Sequence, residues 1–422
     1  MREAEHWKER IRPYYLRWVY FSLFPEQRPA AFAACWQYPY GRLSALLTPP
    51  SPVGDLPDVV FFPMTDWHAR IQRTQHLARA FARRGHRCIY LNPNLGREFE
   101  RTLWFDRDHR LSRLEERVLE LHVRLPREPV FHHRMLTHAE SRIVAAAVEQ
   151  VLRWMGSRRA VLIVSLPVWM EAARVVRDHR GGPLLYDCHD LLRGFANMAP
   201  EIVEAEAAAL EMADLALFSS ARLQEQWATS GRSLLVRNAV DYEHFAGEPE
   251  TPDLPPVAGY AGALERWFDL AAVRAAATTE PRCRFVLAGR MEQAEIGSLA
   301  ALPNVEFRGE VPYARLPEVY AGFRVGLIPF LVNELTLATN PIKLYEYFSR
   351  GMPVVTTALP EVEAFGDLVY VASSAAGFAM QVSHALAEQD PERRARRREV
   401  ARRESWAARA EAIARAWQPV SA

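Results

Sequence analysis

The segment 338–357, "ATNPIKLYEYFSRGMPVVTT", holds the residues whose types and spacing are best suited to chemistry. Asn340 is a good helix N-cap, Pro341 fits the first helical position, and Gly351 suits the end of the helix. The unpaired N–H groups and the dipole at a helix N-terminus form an anion site that suits a diphosphate. The residues predicted to form this site are Asn340, Pro341, Ile342 and Lys343.

The same predicted helix carries a carboxylate one turn from its start. Lys343, Glu346 and Arg350 fall at i, i+3 and i+7, so we expect them to share one face. Glu346 could accept hydrogen bonds from both hydroxyl groups of a ribose, while Leu344 and Phe348 fall on another face that should pack against a sheet. The alternative is an ordinary amphipathic helix with a surface ion pair, worth only about a few tenths of a kcal/mol.

A second group of candidate residues ends an apolar run at 186–190, "YDCHD". His189 could act as a base or polarise a reacting group, and Asp190 could bind an acceptor or orient a proton. These two residues are the predicted catalytic pair, and Asp187 is interpreted as structural. The alternative for His189 is a histidine whose hydrogen bonds are satisfied within its own loop.

A third group follows the first predicted strand, in "TDWHARIQRTQH" at 65–76. Trp67, Arg70, Arg73 and His76 could line the side that binds an acceptor. Trp67 could equally belong to the core, and His76 could simply lie on the helix that follows.

The elements that must position these residues alternate between apolar strands and helices. Runs such as "DVVFFPM", "PLLYDC", "VAGYAG" and "VGLIPF" suit buried parallel strands. We predict a first doubly wound domain over 54–246, a Pro-rich acidic linker, and a second doubly wound domain over 257–395. Ligands of such folds lie at the carboxyl ends of the strands.

The two ends of the chain have a different composition. Residues 1–53 form an extension in which arginines and aromatic residues are interleaved before a Pro-rich stretch. Such a pattern in residues 1–28 suits peripheral contact with a membrane interface, or packing over the body of the protein. An Arg-rich helical segment near the carboxyl end is interpreted as a solvated face.

Composition excludes several other classes of protein. The 422 residues suit two domains, and a net charge of +1 gives no global attraction for nucleic acid. The four cysteines form no CxxC pair, so neither a disulfide framework nor a zinc site is expected. We find no signal peptide, no apolar run of membrane-spanning length and no GxGxxG, and therefore expect a cytoplasmic protein that is not a nicotinamide enzyme. "FDRDH", at 105–109, contains an Asp-x-Asp pattern but is interpreted as a solvated loop.

Taken together, "NPIKLYEYFSRGMPVVTTALPEV" and the segments quoted above resemble the glycosyltransferase family 4 group, and are most similar to bacterial teichuronic-acid-type glycosyltransferases. "GYAGALERWFDL" and "NVEFRGEVPYARLPEVYAGFRVGLIPF" also match in order and spacing, and the resemblance covers most of residues 57–420. It implies a GT-B fold, in which two Rossmann-like parallel-sheet α/β domains face a cleft and a final helix, 404–420, completes the first domain.

The resemblance also implies roles for particular residues. Glu346 matches the family's ribose-binding glutamate, and Arg266 and Arg290 match the positions of basic residues that meet the diphosphate. The family's donor-sugar glutamate is replaced by Ala338, so either Thr339, Asn340 or Glu334 takes over that contact, or the contacts to the donor sugar differ. The implied reaction transfers a sugar from a nucleotide diphosphate sugar to a glycan or lipid-linked acceptor, with retention of configuration and without a metal or other cofactor.

Two alternatives remain open at this stage. One is a sugar-nucleotide epimerase of the same fold, which would need acid and base carboxylates that Ala338 argues against. The other is a non-catalytic relative that binds a nucleotide or a glycan.

Overall fold

A computed structural model of the protein describes residues 48–95, 109–123, 125, 131–227, 231–247, 255–291 and 297–417. Nearly all of the predicted N-terminal extension 1–53, the whole of its 1–28 segment and most of the linker lie outside these ranges. The Asp-x-Asp pattern of the segment 105–109 also lies outside these ranges, and His109 is the one residue of that segment that the structure describes.

The first sheet has eight strands in the order β3-β4-β2-β1-β5-β6-β7-β8. Its strands are β1 Asp58–Phe62, β2 Cys88–Leu91, β3 His109–Glu115, β4 Val118–Val123, β5 Ala160–Val164, β6 Leu184–Cys188, β7 Leu215–Phe218 and β8 Ser233–Leu235. β1 runs parallel to β2 and β5, and β6 runs parallel to β7. The edge strand β3 is antiparallel to β4, a hairpin that the sequence patterns did not predict.

The second sheet has six strands in the order β11-β10-β9-β12-β13-β14, and all of its pairings are parallel. Its strands are β9 Val257–Ala261, β10 Arg284–Ala288, β11 Val305–Gly309, β12 Val325–Ile328, β13 Val354–Thr357 and β14 Val369–Ala372. Each was predicted as an apolar run. The four inner strands β9, β10, β12 and β13 are mostly buried in one hydrophobic core, which explains why their runs are apolar without strict alternation. The two edge strands, β11 and β14, are only partly buried.

The α-helices follow the strands in the alternating order that the sequence predicted. They are α1 Arg73–Arg83, α2 His138–Trp154, α3 Met170–Arg180, α4 Pro200–Glu204, α5 Glu206–Met212, α6 Ala221–Gln226, α7 Tyr242–Phe245, α8 Leu270–Thr279, α9 Gly297–Ala300, α10 Leu316–Ala321, α11 Glu334–Leu337, α12 Ile342–Ser349, α13 Pro360–Glu363, α14 Ala375–Ala387, α15 Pro391–Arg403 and α16 Trp406–Ala416. Within the described ranges, none of them is both long enough and apolar enough to cross a membrane.

Local signals account for the ends of α1, which follows the first strand. The side chains of Gln72 and Gln75 form a reciprocal capping box at its start. Just beyond its end, Gly85 adopts a φ of 98°, a left-handed conformation that favours glycine. The predicted stop at this glycine is therefore confirmed.

The chain divides into two compact units. The first takes the described residues up to Leu184 together with Ala199–Ala209, and the second takes Leu185–Met198 and the described residues from Leu210 onward. The strands β7 and β8 therefore group with the second sheet. The functional domain ranges 54–246 and 257–395, and the completion of the first by 404–420, stay predictions.

Candidate functional site

The second sheet reverses its winding direction between β9 and β12. From β9 the chain moves outward to β10 and β11, and then returns to β12 on the other side of β9 before moving outward to β13 and β14. Ligands of doubly wound sheets bind beyond the carboxyl ends of the strands at such a point. The loops after β9, β10 and β12 meet at this edge, and they carry the predicted donor-binding residues.

The helix α12 lies directly after the loop that follows β12. Its Leu344 and Phe348 are fully buried in the core of the second sheet, as predicted, and Tyr347 is fully buried with them. A Cβ on Gly326 of β12 would stand 2.4 Å from the ring of Tyr347, so glycine allows the helix to lie close to this strand. Gly351 ends the helix with a φ of 71°, which confirms the predicted stop.

The start of α12 differs by one residue from the prediction. The N-cap is Pro341 rather than Asn340, the helix begins at Ile342, and no side chain caps it. The backbone N–H groups of Ile342 and Lys343 have no hydrogen-bond acceptor among the described residues. An N-terminus without a side-chain cap leaves its donors available to an anion, which is the property on which the prediction relied.

Asn340 is not the helix cap, because its side chain is held by residues far away in the sequence. Its Oδ1 accepts from the backbone N–H of Asn238 at 2.9 Å, and its Nδ2 donates to Glu361 at 2.9 Å and to Tyr345 at 3.1 Å. The backbone carbonyl of Asn340 also accepts from the Asn238 side chain at 2.6 Å. Asn340 is therefore a buried junction that fixes where α12 begins.

Glu346 is buried, with only 3% of its side chain exposed. This corrects the expectation of a polar helix face and of a surface ion pair. Oε2 of Glu346 accepts from the Tyr320 hydroxyl at 2.6 Å and from Nζ of Lys343 at 3.0 Å. Burial, followed by the nearby negative charge of Glu346, raises the pKa of Tyr320 well above its usual value, so Tyr320 remains a hydrogen-bond donor.

Arg350, predicted to share a face with Lys343 and Glu346, has a structural role instead. It is buried, and its Nη1 donates to the backbone carbonyl of Phe245 at 3.1 Å. The i+7 position places it at the far end of the helix, where it ties α12 to α7.

Ala338, which replaces the family's donor-sugar glutamate, is buried just before α12. Its backbone carbonyl accepts from the Ser220 hydroxyl at 2.7 Å. The Thr339 hydroxyl donates to the carbonyl of Leu335 at 2.8 Å, so this group already has an acceptor within its own loop. Glu334 has a side chain that is 77% exposed and lies 3.4 Å from Arg193.

The two predicted arginines follow β9 and β10, which are neighbours in the second sheet. Arg266 is exposed, and Arg290 has a side chain that is 64% exposed. Arg290 donates to Glu265 at 2.7 Å, and backbone pairing between Leu264 and Met291 joins the two loops. The structure thus places both arginines at the sheet edge from which α12 begins.

His189 follows β6 directly and is nine-tenths buried. Its Nδ1 lies 3.0 Å from the backbone carbonyl of Asp187, and its Nε2 lies 3.7 Å from Oδ2 of Asp190. The Ser219 hydroxyl donates to the carbonyl of His189 at 2.7 Å. The contact with the Asp187 carbonyl selects the tautomer that carries its proton on Nδ1, which leaves Nε2 as the acceptor nitrogen.

The predicted acceptor residues lie mostly inside the first unit. Trp67 is buried edge-on against Tyr90, and the guanidinium of Arg79 lies 4.9 Å from its ring centroid. Arg73 and His76 are buried on α1, whereas Arg70 is half-buried in the preceding loop. Of these four side chains, Arg70 is the most accessible to an acceptor.

Three residues that the sequence patterns did not single out form a polar cluster at the end of β1. Asp66, His68 and Glu120 each offer a ligand atom within 4.8 Å of the others. Nε2 of His68 lies 3.2 Å from Glu120, and the side chains of Asn94 and Asn92 donate to Asp66 and Glu120 at 2.6 and 2.8 Å. Asp66-x-His68 after a strand was a detectable signal, but nothing local pointed to Glu120.

The surroundings of this cluster shift the pKa values of its two carboxyl groups in opposite directions. Burial, the largest effect, raises the pKa of Asp66, and the negative charge of Glu120 adds to it. Burial also opposes the ionisation of Glu120, but the hydrogen bond and positive charge of His68, together with His122 and Asn92, outweigh it and hold the pKa of Glu120 at about 2. Glu120 therefore stays ionised at neutral pH.

Comparison with known sequences finds similarity in the second half of the chain. Residues 266–415 match the glycosyl transferase-like family, which includes α12 and the loops around it. TuaH of Bacillus subtilis (strain 168), described as a teichuronic acid biosynthesis glycosyltransferase, is 28% identical over 201 residues. That match covers 42% of this chain and about half of TuaH, 51% of its length.

Comparison with solved structures identifies the fold. Sucrose-phosphate synthase from Thermosynechococcus elongatus superposes with a TM-score of 0.67 and 16% identity, over 86% of this chain and 98% of that one. A trehalose-6-phosphate protein from E. coli bound with UDP-2-fluoro glucose superposes with a TM-score of 0.62 and 12% identity, over 86% of this chain and 99% of that one. Anabaena HepE, in complex with UDP and glucose, superposes with a TM-score of 0.58 and 14% identity, over 86% of this chain and 99% of that one. The chain has the GT-B fold, as its sequence predicted.

Proposed function

We propose that this protein is a glycosyltransferase that moves a sugar from a nucleotide diphosphate sugar to a glycan or a lipid-linked acceptor. The observation that carries the proposal is the buried carboxylate of Glu346, one turn inside a helix that has no side-chain cap and starts at the switch point of the second sheet. The match of residues 266–415 to the glycosyl transferase-like family covers this helix.

Two parts of the nucleotide-sugar donor would be bound at separate positions, the diphosphate by positive groups and the ribose by hydrogen bonds. The N–H groups at the start of α12, with Arg266 and Arg290 after the neighbouring strands, would meet the diphosphate. Glu346, one turn further along the helix, would accept from the ribose hydroxyl groups. The relatives that are bound with UDP-2-fluoro glucose or with UDP and glucose support a nucleotide-linked donor.

The reaction breaks the bond between the anomeric carbon and the diphosphate oxygen, and forms a bond from that carbon to an acceptor oxygen. The departing diphosphate takes the bonding electrons, so positive groups and N–H donors at its site lower the barrier. The acceptor hydroxyl gives up its proton, and His189, with its Nε2 beside Asp190, is the proposed group that assists or polarises there. Resemblance to the family supports retention of configuration and a reaction without a metal.

Calorimetry with nucleoside diphosphates tests the donor site. Glu346→Ala should weaken binding by roughly tenfold to several hundredfold, because charge-assisted hydrogen bonds contribute about 1.5–3 kcal/mol each. Glu346→Gln should have a milder effect, since an amide oxygen still accepts. Since Glu346 is buried, a melting curve of each variant must accompany the titration. Wild-type affinity in a folded Glu346→Ala protein would contradict the proposed site.

The replacement at Ala338 favours one second candidate, a non-catalytic protein that binds a nucleotide or a glycan. Incubation with UDP-glucose, GDP-mannose and related donors without an acceptor separates the two. A transferase releases nucleoside diphosphate slowly by transfer to water, whereas a binding protein releases none.

We further propose that residues 1–28 bring the enzyme to membrane-borne acceptors at the inner face of the membrane. The support is the interleaving of arginines and aromatic residues in this part of the sequence, and the cell-envelope product named for TuaH. Flotation with anionic liposomes compares full-length protein with a 29–422 truncation. Equal recovery of both proteins in the protein-only fraction would contradict this role.

A further inference from the structure

We propose that Tyr320 and Lys343 are positioning residues that hold one oxygen of Glu346, so that the other oxygen selects a ribose over a 2′-deoxyribose. This inference rests on the proposed donor site. It assigns Tyr320 a role that no sequence pattern indicated, and it gives Lys343 a partner other than the diphosphate.

Both hydrogen bonds to the Glu346 carboxylate within the described ranges fall on the same atom. Oε2 accepts from the Tyr320 hydroxyl at 2.6 Å and from Nζ of Lys343 at 3.0 Å. A carboxylate oxygen has two lone pairs, so these two donors occupy Oε2. Oε1 is left as the atom with lone pairs for a ligand hydroxyl.

The Tyr320 hydroxyl is aimed by a ring that cannot move freely. Tyr320 is fully buried, and its ring stacks on Phe245 at a centroid distance of 5.4 Å and meets Tyr347 edge-on at 5.2 Å. Since the ring is fixed by α7 and α12, the direction of its O–H toward Glu346 is fixed as well. The Tyr320 hydroxyl is therefore already in place as a hydrogen-bond donor to Glu346 before any nucleotide binds.

Lys343 completes the arrangement from the same helix. It lies three residues before Glu346, the spacing at which side chains of one helix face meet, and its side chain is 21% exposed. Turning the carboxylate away from these donors would break two charge-assisted hydrogen bonds together, one from a hydroxyl and one from an ammonium group. The two donors thus keep Glu346 in one rotamer, with its charge compensated by an ammonium group.

The test measures discrimination between sugars rather than affinity alone. UDP, GDP and ADP are titrated calorimetrically into the full-length protein, and the one that binds is compared with its 2′-deoxy counterpart. The variants are Tyr320→Phe, which removes only the hydroxyl, and Lys343→Met, which removes only the charge. Tyr347→Phe is the matched control, because that buried tyrosine belongs to the same aromatic cluster but its hydroxyl faces the backbone of β9.

We expect the wild-type protein to prefer the ribonucleotide by about tenfold, the order that one charge-assisted hydrogen bond supplies. Tyr320→Phe and Lys343→Met should each reduce this ratio several-fold, while Tyr347→Phe leaves it unchanged. Loss of attraction between Lys343 and the diphosphate would weaken both nucleotides alike, so the ratio isolates the positioning role.

Two results overturn the inference in distinguishable ways. If the ribonucleotide binds, Glu346→Ala weakens it, and folded Tyr320→Phe and Lys343→Met keep the wild-type ratio, then the positioning role is wrong and the proposed donor site stands. If the wild-type protein binds none of the three nucleotides, the proposed function fails and this inference fails with it. Melting curves of each variant identify any protein that has simply lost its fold.

Discussion

His189 sits between two carboxylates on the residues that flank it. Its Nδ1 lies 3.6 Å from Oδ2 of Asp187, which is fully buried, and its Nε2 lies 3.7 Å from Oδ2 of Asp190, which is partly exposed. The carbonyl of Asp187 contacts the ring at Nδ1, whereas the Asp190 carboxylate is the more exposed of the two carboxylates. The predicted division, with Asp187 structural and Asp190 available for chemistry, is consistent with these exposures.

We predict that His189→Ala and Asp190→Asn lower turnover more than donor affinity. Neither residue belongs to α12 or to the loops that carry Arg266 and Arg290. Removing either should therefore affect the reacting groups rather than the affinity for the diphosphate. Steady-state rates and calorimetric donor affinity, measured on the same preparations, separate the two effects. Wild-type turnover in both variants would leave His189 as a satisfied loop histidine.

At the scale of elements, two glycines position α12, one on the strand β12 beneath it and one just beyond its carboxyl end. Gly326 lets it approach β12, and Gly351 lets the chain turn away from it. A Cβ at Gly351 would stand 2.4 Å from Cγ of Arg394 and 3.0 Å from its backbone oxygen, on α15. The end of α12 is therefore set by close packing as well as by the backbone conformation.

We predict that Gly351→Ala lowers the free energy of unfolding more than Gly366→Ala does. Both glycines have positive φ, 71° and 55°, so both variants carry a similar strain, on the order of 1 kcal/mol. Only Gly351 also meets close neighbours, since a Cβ at Gly366 would have nothing within 4 Å. The extra cost should be about 1–3 kcal/mol. Urea unfolding measures both, and equal losses would mean that α15 yields to the added methyl group.

At the scale of the whole molecule, the Glu120 cluster links stability to pH. The pKa of Glu120 is about 2 in the folded protein, below its ordinary value of 4.5, so its ionised form favours folding. That contribution is present above pH 4.5 and is lost as the pH falls through about 2. The raised pKa of Asp66 acts in the opposite direction, because its neutral form is the one that the folded state favours.

We predict that Glu120→Gln flattens the fall in stability between about pH 4.5 and pH 2. The wild-type protein should lose up to roughly 3 kcal/mol more than the variant across this window, since each pKa unit corresponds to about 1.4 kcal/mol. Urea unfolding of both proteins at a series of pH values provides the slopes. Parallel slopes would show that Glu120 titrates alike in the folded and unfolded chains.

We also predict that turnover persists in EDTA. In the proposed site, the uncapped N-terminus of α12 and the two arginines would supply the positive character that a metal would otherwise bring to the diphosphate. The Asp66–His68–Glu120 cluster belongs to the first compact unit, whereas α12 and the two arginines belong to the second. Abolition by EDTA and recovery with magnesium or manganese would contradict this account of the diphosphate site.

The sequence alone determined the order of the elements and located α12, the helix that we propose to bind the donor. The strands β9 to β14 were predicted, and so were a helix in this segment and its stop at Gly351, because apolar runs and glycine ends are local signals. The start of the helix was predicted one residue too early. The GT-B fold was implied by the resemblance of several such segments, in their order and spacing, to a known family. These features depend on neighbours along the chain, which the sequence displays directly.

Only the tertiary structure decided which side chains are buried and which partners they have. Asn340 has the chemistry of a helix cap but is held by Asn238 and Glu361, and Glu346 has the spacing of a surface residue but is covered by Tyr320. Glu120 joins His68 from 52 positions away. Each of these contacts pairs residues on different elements, so its energy depends on how the sheets and helices pack, which no local periodicity records.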